Sequence, residues 1–287
     1  MATLKDIRAR IKAAKNIQQI TKAMKLVAAA RLKKAQDRVL EARPYSDKMR
    51  EFMLSISGAG ELPSHPLLVK RPVERYCMIL ITADRGLAGT YNTSMIRKAN
   101  EFLKNAPGEA RLLSVGKKGA QFFGKRGYQV VHQITVPTAG ARLADALEVT
   151  RLAREMFESG EVDAIYLCYS KFYSPIRQVP QAIQLLPIEP PQDETEEHGA
   201  AKAYTFEPDP AELMGILLPK YVLTLIYQAM LEATASEHGA RMTAMTSATD
   251  AAGDMIQSLT LTANQARQAS ITKEILEVVG GAEALKS

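Results

Sequence analysis

The sequence predicts an α/β chain: a long antiparallel coiled coil of N- and C-terminal helices plus an α/β head domain carried between them. Three observations predict it. Residues 2–43 contain neither glycine nor proline, residues 220–279 contain two glycines and no proline, and the segment between alternates short β-forming runs with helical ones. At about 1.5 Å per residue the two ends would be helices of roughly 60 and 90 Å, several times the usual length of about 11–12 residues. A small domain cannot bury helices that long, so they bury each other.

Taken in order, residues 1–57 form the first helix. Its apolar residues Leu4, Ile7, Ile11, Ala14, Ile17, Ile20, Met24 and Val27 step by three and four, the spacing of one helical face. The head follows at 74–190. Runs 76–82 (YCMILIT), 111–115 (RLLSV), 129–135 (QVVHQIT) and 164–169 (AIYLCY) read as strands, and 93–105, 117–125 and 141–159 as helices. That alternation predicts a Rossmann-like, largely parallel sheet covered on both faces. A fifth strand, 179–186, follows a short turn at Ser174-Pro175 and makes an antiparallel edge hairpin. Residues 191–208 continue an acidic, proline-rich stretch (187–198, PIEPPQDETEEH) and read as a solvated connector. Residues 209–287 form the last helix, with Val222, Leu225, Ala229, Ala233, Ala240, Ala244, Ala248, Ala251, Met255 and Leu259 as its stripe. Because one helix leads into the head and the other leads out, the simplest pairing is antiparallel. Small residues, Ala28 to Ala30 and the alanines at 240, 244, 248, 251 and 252, allow close approach. Gly239 and Gly253, each costing about 1 kcal/mol against alanine, point to tight contact or bending.

Charge is unevenly placed. Of a net +6, residues 1–50 hold 14 Lys and Arg against 4 Asp and Glu, an excess of ten, which leaves the remainder at −4. The basic N-terminus lacks the serine of a transit peptide and its helical pattern continues unbroken, so it reads as mature structure. No stretch reads as the roughly 20 apolar residues of a membrane span, and a soluble chain is expected. Cys77 and Cys168, each inside a strand, make neither a disulfide framework nor a metal site and suggest a reducing compartment.

The place to look for chemistry is the loop after the first strand, 82–92 (TADRGLAGTYN). Strand-to-helix turns with glycine bind phosphate in α/β proteins, yet this spacing satisfies neither GxGxxG nor GxxxxGK[ST]. Two glycines easing a strand into a helix is the plainer reading, and Asp84 and Arg85 could form a local ion pair. His65, His132, His198 and His238 have no ligand spacing and no nucleophile beside them. No catalytic residue, metal site or cofactor is expected. The basic residues Lys22, Lys25, Arg31, Lys33, Lys34 and Arg38 could meet nucleic-acid phosphates, but no aromatic residue for base stacking precedes Tyr45. A solvated helix face and a basic shaft inside an acidic partner are the other readings.

Three stretches carry a family resemblance: 20–36 (ITKAMKLVAAARLKKAQ), the loop 82–92, and above all 266–285 (ARQASITKEILEVVGGAEAL), with I-T-x-E-x-x-E-x-x-x-G-A from Ile271 to Ala282. The chain resembles, over essentially its whole length, the γ subunit of bacterial F-type ATP synthase. It departs at Ala88, where many members carry cysteine, and lacks the inserted cysteine pair of the redox-controlled chloroplast form.

The resemblance implies a central-stalk rotor that catalyses nothing alone. Its coiled coil would stand inside the hexamer of α and β subunits, and its head and foot would meet the ε subunit and the membrane c-ring. Proton flow would turn the shaft and change nucleotide affinity at the catalytic sites in succession. Carried over by motif, Arg267, Gln268, Thr272 and Glu274 would make polar contacts with β. Met24 would face the β lever, and Lys22 and Lys25 would meet acidic β loops. The resemblance further implies no nucleic acid, no direct membrane insertion and a peripheral place on the cytoplasmic face of the bacterial membrane. A nucleotide-binding enzyme and an architectural nucleic-acid binder remain the alternative readings from other classes.

Overall fold

A computed structural model describes residues 3–58, 65–137, 140–189 and 210–284. The order is α1 (Leu4–Gly58), a 3-10 turn at Pro66–Leu68, β1 (Arg75–Ile81), α2 (Tyr91–Asn105), β2 (Glu109–Val115), α3 (Lys117–Gly124), β3 (Gln129–Ile134), α4 (Leu143–Glu158), β4 (Ala164–Ser174), β5 (Arg177–Leu186) and α5 (Pro210–Ala284). The chain divides into two compact units, residues 28–241 and residues 1–27 with 242–287. The connector expected at 191–208 lies outside the described residues.

The unit 28–241 is the α/β domain. Its sheet has the order β3-β2-β1-β4-β5, with β1, β2, β3 and β4 parallel and β5 antiparallel on β4 at the edge. Both faces are covered, as the continuous apolar strands require. On one face Cys77, Ile79, Ile81, Leu113 and Leu167 pack with Val149, Phe157 and the α5 residues Met214, Leu218, Val222 and Ile226. On the other, Tyr76, Met78 and Leu80 pack with Met95, Ala99 and Phe123. The two cysteines are free and buried, and burial pushes each thiol up to about 12.

Proline does not stop either long helix. A proline inside a helix removes one hydrogen bond and costs about 3 kcal/mol. Yet α1 passes Pro44 and α5 passes Pro219. Beyond Pro44, Met49 and Met53 are buried, and on either side of Pro219 Leu218 and Val222 are fully buried. Packing of these side chains outweighs the lost bond. In the sheet, β4 runs five residues past the predicted 169, because β5 supplies a ladder out to Ser174↔Arg177.

The buried face of α1 corrects the predicted stripe. Ile17, Ile20 and Val27 are half or more exposed. Buried or half-buried instead is the series Leu4, Ile7, Ile11, Ala14, Gln18, Thr21, Lys25, Ala28, Leu32, Ala35, Val39, Ala42, Ser46, Met49 and Met53, flanked by half-buried Met24, Ala29, Arg31 and Gln36. The series alternates three and four without a break, the 3.5 repeat of a left-handed coiled coil. Apolar periodicity misleads where that seam passes through polar residues. On α5, likewise, Ala251 and Met255 face out, and the seam of the two-helix unit runs through Met245, Thr249, Ala252, Ile256, Leu259 and Ala263. Within that unit Thr249 Oγ1 donates to Thr21 Oγ1 at 2.8 Å, and a Cβ on Gly253 would lie 3.2 Å from Gln18. The helices are antiparallel there, and Gly253 marks a close contact, as does Gly239 in the domain, where a Cβ would meet Pro175 at 3.3 Å. By length and composition 212–281 is also apolar enough to cross a membrane, contrary to expectation. In the domain portion Val222, Ile226, Ala229 and Met230 are buried in the core.

Candidate functional site

The loop after β1 is tied down by its own functional groups. Asp84 Oδ1 accepts from the Lys117 N–H at 2.9 Å, and Thr82 Oγ1 accepts from the Gly119 N–H at 2.9 Å. The Gly116 and Lys118 amides donate to the Ile134 and Ala83 carbonyls. Every amide from 116 to 119, the positive end of α3, therefore has an acceptor within the chain, and the carboxylate of Asp84 stands where an anion would be favoured. Asn92 Oδ1 accepts from the Ala83 N–H, Asn92 Nδ2 donates to the Arg85 carbonyl, and the Arg241 guanidinium donates to the Gly86 carbonyl at 2.7 Å. Asp84 thus serves the Lys117 amide and makes no ion pair with Arg85. Leu87 holds a φ of 63° in this turn.

The histidines do other work. His65 Nδ1 accepts from the Leu67 N–H at 3.1 Å, and His238 is buried in the domain beside Arg31, Glu237 and Arg241, its pKa lowered chiefly by burial. His132 lies on β3, and His198 lies outside the described residues. Among the described residues no cluster of three metal-ligating side chains occurs. Millimolar ATP should consequently leave the melting temperature of the isolated chain unshifted; a rise that disappears in Asp84→Ala would overturn this reading of the loop.

The other candidates lie in the two-helix unit. Lys22 is exposed, Met24 and Lys25 are half-buried, and Arg267, Gln268, Thr272 and Glu274 are exposed. Thr21 facing Thr249 sets a register in which Met24 falls near Thr246, some twenty residues and about 30 Å of helix from Arg267. The structure therefore does not bring Met24 and the C-terminal motif together. The same register exhausts α1 where Leu4 falls opposite Ala266, and every described residue from Arg267 to Gly281 is exposed. The motif's polar groups bond only locally: Thr272 Oγ1 donates to the Gln268 carbonyl and Ser270 Oγ donates to Glu274 Oε1. Beside them Ile271, Ile275, Leu276, Val278 and Val279 stand bare, as do Ile17, Ile20, Leu26 and Val27 on α1. A reading by motif misses these apolar residues, whose signal is a helical apolar pattern with no partner helix left to face.

A helix end that is regular, apolar and uncovered implies a partner chain, and comparison with known proteins agrees. The family model described as ATP synthase matches residues 3–285. The ATP synthase gamma chain of Brevibacillus brevis is 48% identical over 98% of both chains, and that of Pelotomaculum thermopropionicum 46% identical over 100% of both. In fold, the chain is similar to one from the Euglena gracilis mitochondrial ATP synthase OSCP/F1/c-ring structure, with a TM-score of 0.71 and 20% identity, covering 98% of this chain and 94% of that one. A chain of the Tetrahymena thermophila mitochondrial central stalk and c-ring gives a TM-score of 0.59 and 23% identity, covering 80% and 99%. With a full-length family match and relatives at 46% and 48% identity, the chain belongs to the ATP synthase gamma-chain family.

Proposed function

We propose that this chain, the non-catalytic central-stalk rotor subunit of an F-type ATP synthase, turns its two-helix unit against the α and β subunits. The α/β domain holds the ε subunit and the membrane c-ring. The observation that carries this reading is the bare tail from Arg267 to Gly281 with its five exposed Ile, Leu and Val residues. Burying such a side chain is worth about 1.5–3 kcal/mol, so a surrounding collar of subunits would be held by apolar contact and oriented by the polar motif. Arg267, Gln268, Thr272 and Glu274 would supply those oriented contacts on β, and Met24, Lys22 and Lys25 a second contact nearer the middle of the unit. Rotation then acts by differential contact: each shaft angle must favour one β conformation over another, because an equilibrium shifts only by the difference in affinity for its two states. The domain, in which the loop after β1 is bonded to the start of α3 and to Arg241, is the docking body. In a bacterium the subunit would sit peripherally on the cytoplasmic face of the membrane.

The test is reconstitution. Mixed with α and β, the chain should restore a cooperative ATPase that none of the three shows alone, and without α or β it should still capture ε. Failure to form the α–β complex would sink the rotor reading, and capture of ε only when α and β are present would sink the docking assignment of the domain.

A further inference from the structure

The sheet has an overhang. β4 has eleven residues, but β1 pairs with it only from Ala164 to Cys168, while β5 accompanies it on the other side as far as Ser174. From Tyr169 onward the β1 side of β4 has no strand, and its backbone groups need partners from elsewhere. α5 supplies them with side chains. Ser236 Oγ donates to the Ser170 carbonyl at 3.1 Å, both residues being buried. The Phe172 N–H donates to Glu232 Oε2 at 3.3 Å, and Gln228 Nε2 donates to the other oxygen, Oε1, at 3.1 Å. One turn further along α5, Gly239 brings the helix backbone against Pro175 at the hairpin tip. Positions 232, 236 and 239 lie on one face of the helix.

A carboxylate is a costly choice for a site only 5% exposed. Burial raises the pKa of Glu232, and its bonds from Gln228 and Phe172, with Lys171 and Arg43 nearby, oppose that shift. Apolar residues would cover the hairpin without such a cost, but they would leave the free backbone groups of Ser170 and Phe172 unpaired. Hydrogen bonds to the strand backbone fix both register and angle.

We propose that Glu232 and Ser236 are positioning residues that lock the β4–β5 hairpin to the part of α5 that lies within the α/β domain, so that hairpin and helix turn as one piece there. The proposal rests on the rotor reading above. It assigns to these two side chains the transmission of torque between the hairpin and that part of the helix, with no part in nucleotide chemistry.

The experiment uses the assembled complex reconstituted in vesicles and compares wild type, Glu232→Ala, Glu232→Gln and Ser236→Ala. In Glu232→Ala the Phe172 amide should exchange with solvent about tenfold faster. ATP-driven proton pumping per ATP hydrolysed should fall, with hydrolysis itself retained. Glu232→Gln keeps an acceptor for Phe172 and should restore coupling, whereas Ser236→Ala, which barely alters packing, should lower it. If Glu232→Ala does not assemble, the Ser236→Ala and Glu232→Gln pair decides the matter. Unchanged exchange at Phe172, or faster exchange with full coupling, overturns the proposal. A wild-type chain that restores no ATPase overturns the rotor reading instead.

Discussion

Gly116→Ala is expected to destabilise the α/β domain by about 3 kcal/mol or more. Gly116 sits between β2 and α3 at φ 99° and ψ 149°, a region open essentially to glycine alone. A Cβ there would lie 2.0 Å from the Thr82 carbonyl oxygen and 2.7 Å from its carbon. Both are backbone atoms, and neither can turn aside. Moving them apart would disturb the bond from the Thr82 N–H to the Val115 carbonyl and the one from Gly116 to Ile134. The contacts of Thr82 and Asp84 with α3 would be disturbed with them. Gly215→Ala is the matched control: it lies inside α5, where a Cβ would meet no neighbouring atom within 4 Å, and it should gain about 0.5–1 kcal/mol. Urea unfolding followed through the domain's tyrosines measures both. If the two variants differ by less than about 1 kcal/mol, the close approach of the two loops is not made.

Gly116 also illustrates what can be read from the residues and what cannot. The strand-helix alternation, the edge hairpin and the two end helices are legible because each rests on local apolar periodicity or on a turn signal. The role of Thr82 and Asp84 is not, because it depends on the β1 and β2 termini lying side by side, a fact of sheet order. The same holds for the overhang of β4, whose partner Glu232 is 60 residues away. It holds too for the helix seam, where Gln18, Thr21 and Lys25 occupy core-facing positions and Ile17, Ile20 and Val27 do not. A periodicity that follows apolar residues drifts off the seam wherever the outward face also carries apolar side chains, as it does at Ile17, Ile20 and Val27. The C-terminal motif is legible only by resemblance, since the bonds of Gln268, Thr272 and Glu274 stay within their own helix turn and Arg267 is exposed beside them.

Replacing Ile275, Leu276 and Val279 together by glutamine is expected to lower the ATPase of the assembled complex about tenfold or more, while leaving the melting temperature of the chain alone unchanged. The three side chains are 56%, 65% and 59% exposed, so the folded chain loses almost no burial when they become polar. Any apolar surface they lend to a partner is lost in full. Alanine at Arg267 or Gln268, or at Thr272 with Glu274, should reduce turnover severalfold, because an unpaired partner group in a desolvated contact costs about 1–3 kcal/mol. In the free chain these substitutions remove only exposed bonds within one turn. Single neutralisations of the exposed Lys22, Lys33 or Lys34 should barely alter turnover, since an exposed ion pair is worth about 0.2–1 kcal/mol. Turnover must be compared at equal content of assembled complex, with the melting point of each chain measured separately. A drop in melting temperature for the glutamine variant would mean that the tail packs on its own chain. Equal and small effects from tail and lysines would mean that neither is the surface on which β reads the angle of the shaft.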